Sequence, residues 1–397
     1  MTHALIIGGG IAGATTALAL GKAGIDSTVY EAYPDGADDT GAFLMVMHNG
    51  LDALRAVDAL DAIMPCSFRT TRVEHVDATG QRVSGHTIGV TLTDVDGPRT
   101  LRRADLYQAL QKEVRRRGGR IEHGKRLVRA TTTGRRIIAT FADGSRAEGD
   151  LLVGADGIRS TVRTIIDPTA PAPRYTGENV VFGYTRDTGI PPASETFRMI
   201  HGSSGFSGYT TSPNGETLWV VHLPGDEMTA ADRATIGPSD WRDRILHQVA
   251  GDDTPVAAIV RASGTNIMAS SSYDVPSTHH WHTAHLVLVG DAAHAASTSA
   301  AQGASMALED AVTLAQCLRD LPSIPHAFET YTGLRRARVE RLVAFSANQP
   351  NRPNTTDRDS ADPRTWLYSH HIDWDAPVAQ QRRTPAGQGS DRESPET

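Results

Sequence analysis

The sequence predicts an α/β chain: a doubly wound, Rossmann-like parallel sheet, interrupted by an inserted, mostly antiparallel β-sheet domain and closed by C-terminal helices. Three observations predict it. Residues 5–31, LIIGGGIAGATTALALGKAGIDSTVYE, read as a complete strand, turn, helix and strand. Two later segments, GADGIRSTVR at 154–163 and GDAAHAASTSAAQGASMALEDA at 290–311, each follow a short apolar run with a carboxylate and a helix start. Between them the pattern shifts to short β-rich runs separated by turn residues, as antiparallel structure requires.

In the first unit, Leu5 to Ile7 is an apolar run that stops at Gly8, Gly9 and Gly10, as a buried strand entering a tight turn does. Ala14, Ala17, Leu18 and Leu20 continue as a helix, Gly24 ends it, and Thr28 to Tyr30 form the second strand with Glu31 at its carboxyl end. The spacing has a chemical purpose. Gly8 permits the turn, Gly10 clears room for a pyrophosphate against the backbone, and Gly13 lets helix and strand approach. The helix start offers free N–H groups and roughly half a positive charge. Glu31 stands where a carboxylate accepts hydrogen bonds from an adenosine ribose, about 20 residues beyond the turn. The unit therefore predicts dinucleotide binding.

The 397 residues suffice for one large or two ordinary domains, and 39% hydrophobic content supports a buried core. A formal charge of −7 argues against a general binder of nucleic acid or anionic membranes. The first strand begins within five residues of Met1, leaving no room for a signal peptide, and no apolar run reaches membrane-spanning length. Cys66 and Cys317 are too few for a disulfide framework. The expected location is cytoplasmic.

Further along, 34–42 has turn chemistry, Phe43 to Met47 reads as a strand, and Asn49 is placed to cap a helix carrying Leu51, Leu54, Val57 and Leu60. Two or three strands are expected over 71–100, and Arg103 to Arg117 is an amphipathic helix stopped by Gly118 and Gly119. Strands follow at 127–131 and 137–141, with Asp143-Gly144 as a hairpin turn, and a short apolar run at 151–153. Residues 180–185, 195–200, 206–211 and 216–223 read as one sheet, and 228–263 as helical. His279, His280, His282 and His285 lack a carboxylate or cysteine at ligand spacing, so no metal site is assigned. Leu286 to Val289 is another strand, Gly303 opens a helix through Leu318, and 323–346 forms a further helix rich in arginine. Residues 347–363 and 381–397 have the composition of poorly ordered chain, with Trp366, Leu367, Tyr368, Ile372 and Trp374 between them able to dock on the body.

The ordered set GGGIAG with Glu31, GADGIRSTVR, and GDAAH with QGASMALEDA resembles the single-component (class A) FAD-dependent monooxygenases of the para-hydroxybenzoate hydroxylase type. The resemblance spans Leu5 to about Phe345. It implies an FAD-binding domain made of 1–70, 101–170 and 281–346, a substrate-binding sheet domain made of 71–100 and 171–280, and a tail over 347–397. It implies that Gly8, Gly10, Ile11, Ala12, Gly13 and Glu31 hold the ADP half of FAD, that Arg103 lies near its phosphates, and that Asp156 serves FAD and the nicotinamide cofactor. Asp156 also reads as a helix N-cap. Asp291 would contact the ribityl chain or phosphates, and Gln302, Gly303 and Ala304 would bring a helix start to the flavin, stabilising negative charge on the reduced ring.

By the same resemblance NAD(P)H reduces FAD, O2 forms a flavin C4a-hydroperoxide, and one oxygen passes to a small aromatic or polyketide-type substrate, with no catalytic triad. Met47, Phe206, Tyr209 and Trp219 are the expected cavity wall. The chain departs from the family pattern at Thr298, where proline is common, at Ala301, where glycine is usual, and at Ala32. Three rival readings stand beside this one. They are a reductase or oxidase without oxygen insertion, a nucleotide-binding regulatory protein, and a flavin-dependent halogenase, against which no W-x-W pair occurs.

Overall fold

The computed structural model describes residues 2–34, 41–88, 97–296, 301–347 and 365–378. The chain opens with β1 (His3–Ile7), α1 (Ile11–Lys22) and β2 (Asp26–Tyr30), as the apolar run, glycine turn and β-branched run dictate. It continues through β3 (Phe43–Val46), α2 (His48–Ala56), α3 (Leu60–Ile63), β4 (Phe68–Arg69), β5 (Arg72–Asp77), β6 (Arg82–Thr87) and β7 (Arg99–Arg102). Then come α4 (Arg103–Arg116), β8 (Arg120–Glu122), β9 (Leu127–Thr133), β10 (Arg136–Phe141), β11 (Arg146–Gly149), β12 (Leu151–Gly154) and α5 (Thr161–Ile166).

A five-stranded sheet has the order β18-β12-β1-β2-β8, where β18 is Leu286–Leu288. Its strands are parallel, with Ile7 opposite both Tyr30 and Gly154, and Gly154 opposite Leu288. Leu5, Ile6, Leu152, Val153 and Val287 are fully buried, as expected of a parallel sheet covered on both faces. α1 packs against α4 and against α10 (Gly303–Asp320), which follows the short α9 (Asp291–His294) and in turn packs on α2 and α11 (Ile324–Ala347). β9, β10 and β11 form a small antiparallel sheet.

The second large sheet has seven strands in the order β17-β13-β16-β15-β14-β5-β6. It uses β13 (Arg174–Thr185), β14 (Thr196–Gly202), β15 (Gly205–Thr211), β16 (Thr217–Pro224) and β17 (Ile267–Asp274). All neighbours are antiparallel except β14 and β5. Alternation along each strand gives the sheet two faces. The back face, with Val181, Ile200, Tyr209, Trp219 and Val221, packs under α7 (Pro238–Gln248) and α8 (Val256–Ala262) in one apolar cluster with Trp241, Ile245 and Ile259. The front face carries Val73, Phe197, Met199 and Val220, which join Phe43 and Met45 of β3 in another cluster.

The helical stretch expected over 228–263 is three helices, α6 (Ala230–Thr235), α7 and α8, because Gly237-Pro238 and the Gly251 to Pro255 run interrupt it. Strands β8 and β17 carry no clear alternating signal; β17 reads ASSS at its centre and owes its state to pairing with β13. Asn49 does not cap α2. It lies inside the first turn, fully buried, with its amide turned to α10. The expected tail over 347–363 and 381–397, and Thr298, lie outside the described residues. Leu367 and Tyr368, in α12 (Thr365–Tyr368), are buried against Met47, Met306 and Leu342. Trp374 lies between the cations of Lys22 and Arg319. No helix among the described residues is long and apolar enough to cross a membrane.

Candidate functional site

Sheet register brings the three glycine-bearing segments together. β1, β12 and β18 end level with one another, so Gly8, Ala155 and Val289 emerge side by side, with Gly290 one residue further. Gly8, at φ +101°, lies so close that a Cβ there would strike the Ala155 carbonyl, and a Cβ at Gly13 would strike the Gly8 carbonyl. At Gly290, φ +59°, a Cβ would meet Ala12 at 2.9 Å and Ala307 at 3.1 Å. At these three positions close approach leaves no room for a side chain. Gly10 is different. A Cβ there would meet nothing within 4 Å, so the turn is open on the side where a pyrophosphate would reach the start of α1 with Ile11 and Ala12.

The turn is held from both sides. The Gly9 N–H donates to Glu31 Oε2 at 2.7 Å, and the Gly9 carbonyl accepts from Gln111 Nε2 at 3.0 Å. Glu31 Oε1 also accepts from the Tyr33 N–H at 2.9 Å. Glu31 therefore shapes the turn, and a ribose would share its remaining lone pairs. Gln111 was not singled out from sequence; the available signal was an amide placed on the buried stripe of α4.

Arg103 projects from the first turn of α4 beside Gly41, exposed, and its guanidinium has no partner among the described residues. Asp291 is likewise exposed and its carboxylate makes no hydrogen bond or ion pair among the described residues, though its charge is felt at His294; it lies 4.0 Å from the position a Cβ of Gly303 would take. Asp156 is committed locally. Its carboxylate accepts from Ser160 Oγ at 2.5 Å, the Thr161 N–H at 2.7 Å and the Val162 N–H at 3.1 Å, so it caps α5. Burial pushes its carboxyl above the ordinary value against those donors.

At the start of α10, Gln302 is buried and accepts from Asn49 Nδ2 at 3.1 Å, with Gly303 and Ala304 opening the helix behind it. Gln302 Nε2 and Asn49 Oδ1 are buried without a partner among the described residues. An unpaired donor and acceptor beside a helix start suit the hydrogen-bonding edge of a flavin. Together with the open Gly10 turn and the unpaired Arg103 and Asp291, these orphans fit FAD.

Behind the site lies an ionic network, buried at its centre, that sequence reasoning missed. Glu309 accepts from Asn49 Nδ2 at 2.6 Å, from Arg338 at 2.9 Å, and from Arg335. Asp310 accepts from Arg335 Nε at 2.7 Å and the Gly290 N–H at 2.9 Å, and pairs with His294 Nε2 at 2.5 Å. The signal was present as Glu309-Asp310, adjacent carboxylates in the mostly small and apolar middle of α10, and the arginine run of α11. Despite burial, which works the other way, Asp310 raises the His294 imidazole above its ordinary value.

The expected cavity wall divides. Trp219 and Tyr209 lie on the back face under the helices; Trp219 Nε1 donates to Ser263 Oγ at 2.8 Å, and the Tyr209 hydroxyl accepts from Arg198 at 2.8 Å. They are core residues, which corrects the expectation. The odd or even position in the strand decides the face, and register was not legible beforehand. Phe206 lies on the front face, edge-on to His222. Met47 packs with Met306, Leu367 and Tyr368 beside the start of α10, its N–H donating to Ser305 Oγ at 3.1 Å.

Ala301 sits at φ +48° just before Gln302. A Cβ there costs about 1–2 kcal/mol, part of which glycine would return as unfolded-state entropy. Ala301→Gly is expected to stabilise the protein by about 0.5–1 kcal/mol, measured by denaturant titration.

The fold and the site define an FAD-binding protein with the architecture of the class A flavoprotein monooxygenases. The family model described as "FAD binding domain" matches residues 1–346, and the chain belongs to that family. It is 28% identical over 354 residues to the aurachin C monooxygenase/isomerase of Stigmatella aurantiaca, covering 86% of this chain and 87% of that one. It is 28% identical over 389 residues to the 3-amino-4-hydroxybenzoate 2-monooxygenase of Streptomyces cremeus, covering 91% and 94%. The crystal structure of Klebsiella pneumoniae HpxO complexed with FAD and uric acid superposes with a TM-score of 0.76 at 25% identity, over 87% of each chain.

Proposed function

We propose that this chain is an NAD(P)H- and O2-dependent monooxygenase of the para-hydroxybenzoate hydroxylase type, inserting one oxygen atom into a small aromatic or polyketide-type substrate. What supports the reading is the level ending of β1, β12 and β18, which brings the Gly8–Gly10 turn beside the segment that leads into Asp291, together with the unpartnered amide atoms of Asn49 and Gln302 at the start of α10. Residues 1–70, 101–170 and 281–346 hold FAD in this reading, and 71–100 with 171–280 cover the substrate. When bound, FAD supplies the electron transfer from NAD(P)H and the activation of O2.

The chain's own residues supply the rest. Gly8, Gly10, Ile11, Ala12 and Gly13 present backbone to the pyrophosphate, Arg103 balances its charge, and Glu31 receives the ribose. Asp291 meets the ribityl chain, while Gln302, Gly303 and Ala304 offer N–H groups to charge on the flavin edge. The front face with Met199, Val220 and Phe206, together with Met45 of β3, excludes water from the acceptor. Relatives that by name oxidise aurachin C or 3-amino-4-hydroxybenzoate support an aromatic acceptor.

The test is direct. The purified protein is expected to be yellow and to bleach anaerobically with NADH or NADPH. Supplied with 18O2 and a panel of phenols and polycyclic ketones, it is expected to place the label in product. A reductase or oxidase would consume NAD(P)H or substrate without label, and a regulatory protein would not bleach.

A further inference from the structure

We propose that His222, held by Glu178, is the proton acceptor for the substrate under the front face, which makes that substrate one bearing an ionisable phenolic hydroxyl or ring N–H. This rests on the monooxygenase reading above. His222 lies on β16 opposite Val180 of β13, with the ring of Phe206 of β15 beside it. Two residues earlier on the same face, Val220 packs in the cluster that includes Phe43 and Met45. The imidazole therefore belongs to the face turned toward β3.

Two features distinguish it from an ordinary core histidine. Its Nδ1 is 2.9 Å from Glu178 Oε1; a carboxylate only accepts, so Nδ1 carries a hydrogen, and in the neutral ring Nε2 is left as the basic nitrogen. Nε2 has no partner among the described residues, and the side chain is 11% exposed, screened from bulk water yet reachable. The pairing of β13 with β17 also shifts register between Tyr175 and Asn179, with Gly177 at φ +89°. Such bulges re-aim side chains beside active sites, and Glu178 lies within this one.

The groups around His222 are few. Glu178 faces it from β13 and Phe206 from β15, edge-on with ring centroids 5.1 Å apart. Beyond Phe206 stands His201 of β14, 2.9 Å from His75 Nδ1 of β5, with His86 of β6 stacked on His75. On the other side β13 and β17 present Val180 and Ser270 in the same row. Glu178 is thus the carboxylate that would balance an imidazolium here.

The step is a proton transfer. The substrate O–H or N–H bond breaks, its proton joins Nε2, and the electron pair stays on the substrate, where the ring becomes the nucleophile that oxygen transfer requires. No electrons leave the substrate in this step.

The test uses the FAD-loaded full chain and three probe phenols: 4-nitrophenol, 4-hydroxybenzoate and 3-amino-4-hydroxybenzoate. Bound to the native protein, at least one is expected to appear as phenolate by difference absorbance at a pH where it is neutral in solution. His222→Asn, whose amide can still donate to Glu178 but has no basic nitrogen, is expected to cut the bound phenolate-to-phenol ratio about tenfold or more, one pKa unit. Glu178→Gln is expected to shift the same titration in the same direction by less. His222→Asn should remain yellow and bleach with NAD(P)H; loss of colour in native protein would refute the cofactor reading instead. No bound phenolate for any probe, or an unchanged titration in His222→Asn, overturns the proposal.

Discussion

Arg335→Met is expected to destabilise the protein by about 3–5 kcal/mol, measured by denaturant titration of the flavin-free chain. Arg335, Glu309 and Asp310 are all essentially inaccessible to solvent. Methionine would fill much of the volume but leave two carboxylates facing each other, with His294 and Arg338 unable to serve both. The surrounding helices cannot admit enough water to compensate. Because Asp310 also accepts from the Gly290 N–H, and Glu309 from Asn49, the damage should reach the cofactor side, and FAD retention should fall with stability.

The same network sets a pH dependence. Although burial pushes the other way, Arg335 and Arg338 hold the Glu309 carboxyl far below its ordinary value. Its unfolded value is about 4.3, so its contribution is present above that pH and lost as pH falls. His294 has the opposite sign. Its raised imidazole contributes fully below about 6.5 and loses that contribution as pH rises through the folded value. Stability should fall steeply below about pH 4 and more gently on the alkaline side, and Arg335→Met should flatten the acid limb.

Gly13→Ala is expected to yield a colourless protein, whereas Gly10→Ala should fold normally and bind FAD at least about tenfold more weakly. One methyl group meets two different surroundings. At Gly13 it would overlap the Gly8 carbonyl, so the turn must move away from the geometry Glu31 and Gln111 hold. At Gly10 it meets only open space, so the protein tolerates it and only a ligand seated against the backbone would not. The measurement is the absorbance ratio of flavin to protein, with thermal unfolding of both flavin-free variants as the control for folding. Equal flavin content in native and Gly10→Ala protein would show that the pyrophosphate does not lie there.

Much of the parallel layer was legible because its signals are local. Leu5–Ile7 into three glycines, Leu151–Val153 into GADG, and Leu286–Val289 into GDAAH each declare a strand end by composition alone. What composition omits is which face a residue takes. Trp219 and Phe206 read alike as aromatics in strands, yet one is sealed under α7 and α8 and the other lies on the opposite face between His201 and His222. β17 was invisible because serine-rich strands owe their state to their neighbours. Asn49 read as a helix cap, the local use of such a residue, while the fold spends it on Glu309 and Gln302 in α10, more than 250 positions away.

By itself the sequence determined the fold class, the order of the segments and the dinucleotide turn, because glycine tolerance, apolar periodicity and charge placement act within a few residues. Only the tertiary structure decided which side chains meet: the Glu309–Arg335–Asp310 network, the orphaned amides of Asn49 and Gln302, and the His222–Glu178 pair. Each of these depends on strand register or helix docking, where a one-residue slip reverses a face, and no local pattern carries that choice.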